Sequence, residues 1–244
     1  MARTATVSDD QLLLQIMEVF RAEGFQGASL SKLAAATGLK RASLYHRFPG
    51  GKNQMAEESL GAIVRWLEGN VHGALQSEGS PQDRLKAAAQ GFATLYDGGK
   101  DQCLINLFGS QAGAQAGLRS GVQALLSTLI LGIAKVIEDA GFEPDEARRR
   151  AFAGVVQLQG ALVVSQAFAD TAPFAATMAR WADDLLAGAE AADVAPQPGA
   201  PSAEPEPPKE DQAPPPSPPA PTPAAPAQPS IRAAVAAHLK GLRS

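Results

Sequence analysis

An all-α fold follows from three observations on this 244-residue chain. Apolar residues recur at spacings of three and four along most of the chain before residue 190. No segment alternates with period two or carries hairpin turn chemistry. Aromatics are only 5% of residues against 45% hydrophobic, which favours aliphatic helix packing as the way to build a core.

The first helix signal starts at Ser8, an N-cap type, with Asp9 and Asp10 in the first turn where the helix dipole favours anions. Leu13, Ile16, Met17 and Phe20 then form an apolar stripe, and Gly24 is a natural residue to end it. Ser29 caps a second helix with Leu30, Leu33 and Ala34 inward. Gly38 permits a sharp turn at Thr37-Gly38-Leu39, and Leu39 plugs the corner. In the third helix Leu44 and Phe48 face inward, leaving Lys40, Arg41, Ser43, His46 and Arg47 around the exposed side. Pro49-Gly50-Gly51 stops it, and Lys52 opens a long fourth helix through Met55, Leu60, Ile63, Val64 and Leu67.

Further helices are expected from Ser80-Pro81 to about Gly98, through Leu125–Ile137, from Pro144 through Val163, and from about Phe174 to Leu186. Cys103 to Phe108 is a short apolar piece. Gly109, Gly113, Gly117 and Gly121 recur every four residues and read as a loosely helical connection, because glycine costs about 1 kcal/mol per helical position. Fifteen of the nineteen prolines fall within 194–230. That composition predicts a disordered linker over 191–229, followed by a short amphipathic helix at 230–244 with Ile231, Val235, Leu239 and Leu242 on one side.

Net charge is −4, yet no acidic residue occurs between Phe25 and Ala56, a stretch holding Lys32, Lys40, Arg41, Arg47 and Lys52. A local basic field on a helix-turn-helix suits a DNA major groove. There is no apolar leader at the N-terminus and no uninterrupted apolar run of membrane-spanning length, so a cytoplasmic protein without a membrane partner is expected. A single cysteine, Cys103, excludes an internal disulfide framework and a multi-cysteine zinc site, and reads as a small buried residue. The histidines His46, His72 and His238 have no metal-ligand spacing. Gly50-Gly51-Lys52-Asn53 lacks the rest of a phosphate loop, and Gly109-Ser110-Gln111-Ala112-Gly113 is no nucleophile elbow. Neither an enzyme, a metal nor a cofactor is expected.

The run from Ser29 to Met55, with its turn glycine, its core positions and Tyr45, His46, Phe48 and Lys52 in register, resembles the DNA-binding signature of TetR-family (tetracycline-repressor-like) regulators. The additional glycine in Pro49-Gly50-Gly51 and the Cys103–Leu107 segment are similar to the lincomycin-responsive (LmrA/YxaF-like) branch. The resemblance implies a helix-turn-helix DNA-binding domain over 1–52 and a helical ligand-binding and dimerisation domain over 53–190. Lys40 and Arg41 are then the candidates for base edges. Ser43 is a candidate for bases or backbone, and Ser29, Tyr45, His46 and Lys52 for phosphates.

One such module presents little surface, so a homodimer reading a palindromic double-stranded operator is expected, as is repression by occupying a promoter. Gly154, Ala161, Ser165, Trp181 and Leu185 are candidates for the interface. Trp66, Phe92, Tyr96, Leu107, Phe108, Gln111 and Phe168 are candidates for an apolar cavity with a few polar handles. The resemblance implies that a small hydrophobic or aromatic inducer there favours mis-spaced reading heads. The alternative is an adaptor that recruits a partner through the proline tail and terminal helix.

Overall fold

The computed structural model describes residues 9–109 and 116–188, and every regular element in them is helical. Helices α1 (Asp9–Gly27), α2 (Leu30–Thr37) and α3 (Arg41–Arg47) form a compact N-terminal unit. Helix α4 (Gly51–Leu67) continues through a π-helical turn, Glu68–His72, into α5 (Gly73–Gln76). Then follow α6 (Pro81–Leu95), a 3-10 turn at Asp97–Gly99, α7 (Leu104–Gly109), α8 (Ala116–Asp139), α9 (Pro144–Phe168) and α10 (Ala172–Leu186). Ser8, Gly113, the proline-rich segment and the 230–244 helix lie outside the described residues.

The caps follow the sequence logic. Ser80 Oγ accepts from the Asp83 amide at 3.1 Å, with Pro81 at the first helical position. The α1 helix takes a left-handed kink at Gly24 (φ 65°), where its regular stripe ends. Leu13, Ile16, Met17 and Phe20 are all buried above that kink.

The expectation of a loose connection through the glycines is corrected at Gly117 and Gly121. Both lie inside the long helix α8. A side chain at Gly121 would stand 3.0 Å from Leu60 of α4, so close packing of α8 on α4 offsets the helix cost of glycine there.

The body is built on the antiparallel pairs α8–α9 and α9–α10, with α6 beneath α10. Trp66, Phe108, Phe174 and Trp181 are among its fully buried side chains. The α9–α10 seam closes at Gly154, where a Cβ would come within 2.8 Å of Leu185 and 3.2 Å of the Trp181 indole nitrogen. Trp181 Nε1 donates to the Gly154 carbonyl at 3.0 Å, and Ser165 Oγ accepts from the Phe174 amide at 2.9 Å. Each is a buried polar group paired inside the chain.

Two helical stretches, Gly117–Asp139 and Pro144–Phe168, are long and apolar enough to cross a membrane by length and composition. Neither is an unbroken apolar run, and a buried core helix meets the same length and composition. In the structure these helices pack on one another, and α9 is interrupted by Gln157, Gln159 and Gln166, each hydrogen-bonded within the body.

Gly154→Val forces methyl groups into the seam and is expected to destabilise the protein by about 1–3 kcal/mol. Urea unfolding measures this as a lower midpoint at similar slope; an unmoved midpoint would contradict the seam geometry.

Candidate nucleic-acid interface

The N-terminal unit positions α3 by backbone chemistry before any charge is considered. Ser29 Oγ accepts from the Lys32 amide at 3.3 Å and starts α2. Thr37 Oγ1 returns to the Leu33 carbonyl at 2.8 Å and seals the far end. Gly38 adopts φ 66°, ψ 9°, the left-handed conformation that redirects the chain into α3. Leu44 is the buried residue of α3, and Phe48, also buried, closes it with its amide on the Leu44 carbonyl at 2.7 Å. This leaves Lys40, Arg41, Ser43, Tyr45 and His46 exposed on one short helix and its N-cap, with Ser29 exposed at the head of α2.

The five basic side chains of the acid-free stretch are not equivalent. Lys32 pairs with Glu23 of α1. Arg47, expected on the exposed side, is half-buried. Its Nε lies 3.3 Å from Asp9 and its Nη2 3.4 Å from Glu58, and the guanidinium sits 4.8 Å over the Phe48 ring. It fastens α3 to α1 and α4. Lys40, Arg41 and Lys52 have no carboxylate partner among the described residues. Arg41 donates to Ser31 Oγ. Lys52 donates to the Gln26 carbonyl at 3.4 Å and lies 4.7 Å over the Phe25 ring. The uncompensated charge is therefore concentrated at the head of α3 and the head of α4. Acidic partners outside the stretch, at Asp9, Glu23 and Glu58, decide this, and helical periodicity did not reveal them.

The residues expected to line a ligand cavity are not brought together. Trp66, Phe92, Tyr96 and Phe108 are buried core. Phe92 meets Trp181 edge-on at 5.7 Å, Tyr96 meets Phe174 at 6.0 Å, and Phe108 meets Phe20 at 5.4 Å. Leu107 is half-buried, Phe168 is 75% exposed at the end of α9, and Gln111 lies outside the described residues. Burial, with the Cys103 thiol 3.3 Å from its hydroxyl, pushes the Tyr96 phenol well above its ordinary pKa, so it stays neutral. A cleft of about 940 Å³ lies instead between α7, α8 and α9, walled by Ile105, Val122, Leu126, Ile130, Phe152 and Val156. Its polar lining is Asn106, Arg119, Gln123 and Gln159.

The expected interface residues are likewise redistributed. Gly154, Ser165, Trp181 and Leu185 are buried in the α9–α10 seam of the same chain, and Ala161 is half-buried. Small residues at helical spacing signal a close helix contact, but here the contact is intramolecular. The apolar side chains left uncovered on α9 are Phe152, Val156, Val163, Val164 and Phe168.

A basic, exposed α3 held across a glycine turn at the head of an all-helical body has the form of a helix-turn-helix unit. Residues 12–58 match the family model described as bacterial regulatory proteins, tetR family. Over that stretch the chain is similar to the DNA-binding part of TetR-family regulators.

The HTH-type transcriptional regulator LmrA of Bacillus subtilis (strain 168) is 25% identical over 80 residues, covering 33% of this chain and 43% of LmrA. The chain thus matches less than half the length of that relative. The uncharacterized HTH-type transcriptional regulator YxaF of the same strain is 21% identical over 174 residues, covering 68% of this chain and 88% of YxaF. The fold also matches a solved TetR-family regulator, CifR, a cysteine mutant complexed with 26-bp double-strand operator DNA. There the TM-score is 0.61 at 21% identity, over 74% of this chain and 98% of CifR.

Gly38→Val is expected to cost about 1–2 kcal/mol, because an L-residue pays for the left-handed conformation even though the space around Gly38 is open. Thermal unfolding of the variant reads this directly; wild-type stability would mean that the turn tolerates a side chain.

Proposed function

We propose that this chain is a homodimeric repressor that reads a palindromic operator with two copies of α3 and is released by a small apolar ligand bound in the α7–α8–α9 cleft. The observation that carries the proposal is the uncompensated cationic head of α3, with Lys40 and Arg41 exposed on a rigid helix-turn-helix. Arg41 forks to a guanine edge and Lys40 reaches a neighbouring base, while Ser43 touches base or backbone. Ser29, Tyr45, His46 and Lys52 hold phosphates. Residues 1–52 are the DNA-binding part and 53–190 the ligand-binding and dimerisation part, with α4 crossing that boundary as one helix.

Dimerisation follows from what α9 leaves bare. Phe152, Val156 and Val163 follow helical spacing along α9, each more than half exposed, with Leu131 of α8 also open. Such a stripe on a helix already packed on both α8 and α10 is the surface that a second copy buries, building a four-helix bundle from two α9–α10 pairs. Two reading heads then sit at fixed spacing, and repression follows from blocking a promoter.

Ligand control uses α7, which has two working faces. Ile105, Asn106 and Gly109 border the cleft, while Phe108 packs against Phe20 of α1. A ligand that favours a shifted α7 moves α1 with it, and it releases operator only by the ratio of its affinities for the shifted and DNA-bound states.

Arg41→Ala is expected to weaken specific operator binding by about 1–3 kcal/mol with little change in fold stability. A salt-controlled binding assay with the DNA flanking the coding region measures this, and equal affinity would remove Arg41 from the readout. Val156→Glu places a charge in the bare α9 stripe and is expected to give monomers in sedimentation at micromolar concentration. A dimer that persists in this variant would locate the interface elsewhere.

A further inference from the structure

We propose that the α7–α8–α9 cleft is built for an amphipathic anion, an elongated apolar body bearing one carboxylate, with Arg119 receiving the carboxylate. This rests on the reading of the chain as a ligand-released regulator and gives that ligand its chemistry.

The cleft has two unlike ends. On α8 it is bordered by Arg119, Val122, Gln123, Leu126 and Ile130, one helical stripe about 16 Å long at the α-helical rise. Helices α8 and α9 are joined by a short turn and run antiparallel, so Val163 and Val164 lie towards Arg119 and Phe152 towards Ile130. Arg119 and Gln123 stand one turn apart on α8 at one end, and Asn106 of α7 and Gln159 of α9 are the other polar side chains of the lining. At the other end the lining is Ile130, Phe152, Val155 and Val156, with no polar side chain. An apolar molecule without a head group leaves the first end unused, and a compact polar one leaves the second dry and unfilled.

Arg119 is set apart from the other arginines near it in sequence. Arg84 is paired with Asp139, and Arg148, Arg149 and Arg150 with Asp145 or Glu146. No salt bridge among the described residues involves Arg119. It lies in the first turn of the 24-residue helix α8, where the helix dipole also favours a negative group. A guanidinium fork matches a carboxylate with two parallel hydrogen bonds. The walls are rich in valine, whose χ1 is already restricted, so filling the cleft orders little that was free.

Isothermal titration of the full-length protein with decanoate, decan-1-ol and decyltrimethylammonium, all below their micelle-forming concentrations, tests the assignment on the unaltered chain. Decanoate is expected to bind at least about ten-fold more tightly than the alcohol, the scale of one charge-assisted pair, and the cation weakest. Arg119→Gln is expected to bring decanoate down to the affinity of the alcohol while leaving alcohol binding unchanged. Equal affinities for the three probes on the native chain, or decanoate binding indifferent to Arg119, would overturn the site and leave the regulator reading standing. A parallel operator-displacement measurement separates the two claims. Arg119-dependent decanoate binding that leaves operator occupancy unchanged would keep the site and overturn its role in release.

Discussion

The edge-to-face contact of Phe20 with Phe108, ring centroids 5.4 Å apart, is the interaction on which the architecture turns. The helix-turn-helix unit is too small to bury a self-sufficient core from its own residues. It completes that core with a ring from α7, and Phe20 also stacks on Phe25 at 5.9 Å within its own unit. The next residue, Arg21, is buried and reaches Asp101 of the segment before α7 at 3.7 Å, beside its intrahelical partner Glu18 at 3.0 Å. The DNA-reading part and the body are therefore one packed object at this point. A change in α7 must be felt by α1, because close-packed interiors rearrange between discrete states and do not stretch.

Electrostatics completes what packing begins. A duplex attracts any cation, but a cation already neutralised by a neighbouring carboxylate contributes little to that attraction. Pairing Arg47 with Asp9 and Glu58, and Lys32 with Glu23, offsets two of the five charges and links α3 to α1 and α4, and α2 to α1. The remaining charge at Lys40 and Arg41 stands on a helix set by the Gly38 turn and the buried Leu44 and Phe48. Paired cations and the cations proposed to read DNA are thus neighbours in sequence that differ only in what lies opposite them in space.

That difference explains which parts were legible in the sequence. The turn at Gly38, the inward Leu44 and Phe48, the caps at Ser29 and Ser80 and the order of helices are local matters, written in spacing and backbone preference, and the structure follows them. The partner of an apolar residue is not local. Trp181 and Leu185 carried the right signal for a tight helix contact, but the helix they meet is α9 of their own chain. Phe92, Tyr96 and Phe108 had the composition of a pocket, and each spends its ring on another aromatic. Glycines Gly117 and Gly121 suggested a weak helix, and the approach of α4 to α8 reversed the sign of that argument at Gly121.

Helix α9 concentrates the consequence. Gly154, Leu158, Leu162 and Ser165 face α10 or the core, Val155 and Gln159 border the cleft, and Phe152, Val156 and Val163 remain bare. A helix apolar on nearly every side is stable in water only when something covers each side. In this chain α10 covers one, and a second copy covers another in the proposed dimer. The cleft lies between the covered faces and shares Phe152, Val156 and Val163 with the bare stripe. In the proposed dimer, an occupant of the cleft and the partner's helix would therefore touch the same side chains from two directions. Linkage requires that whatever the ligand gains from one arrangement of those side chains, the dimer geometry loses or gains by the same amount. On that proposal, control of half-site spacing needs no long relay, because one helix would be both the ligand wall and the dimer wall.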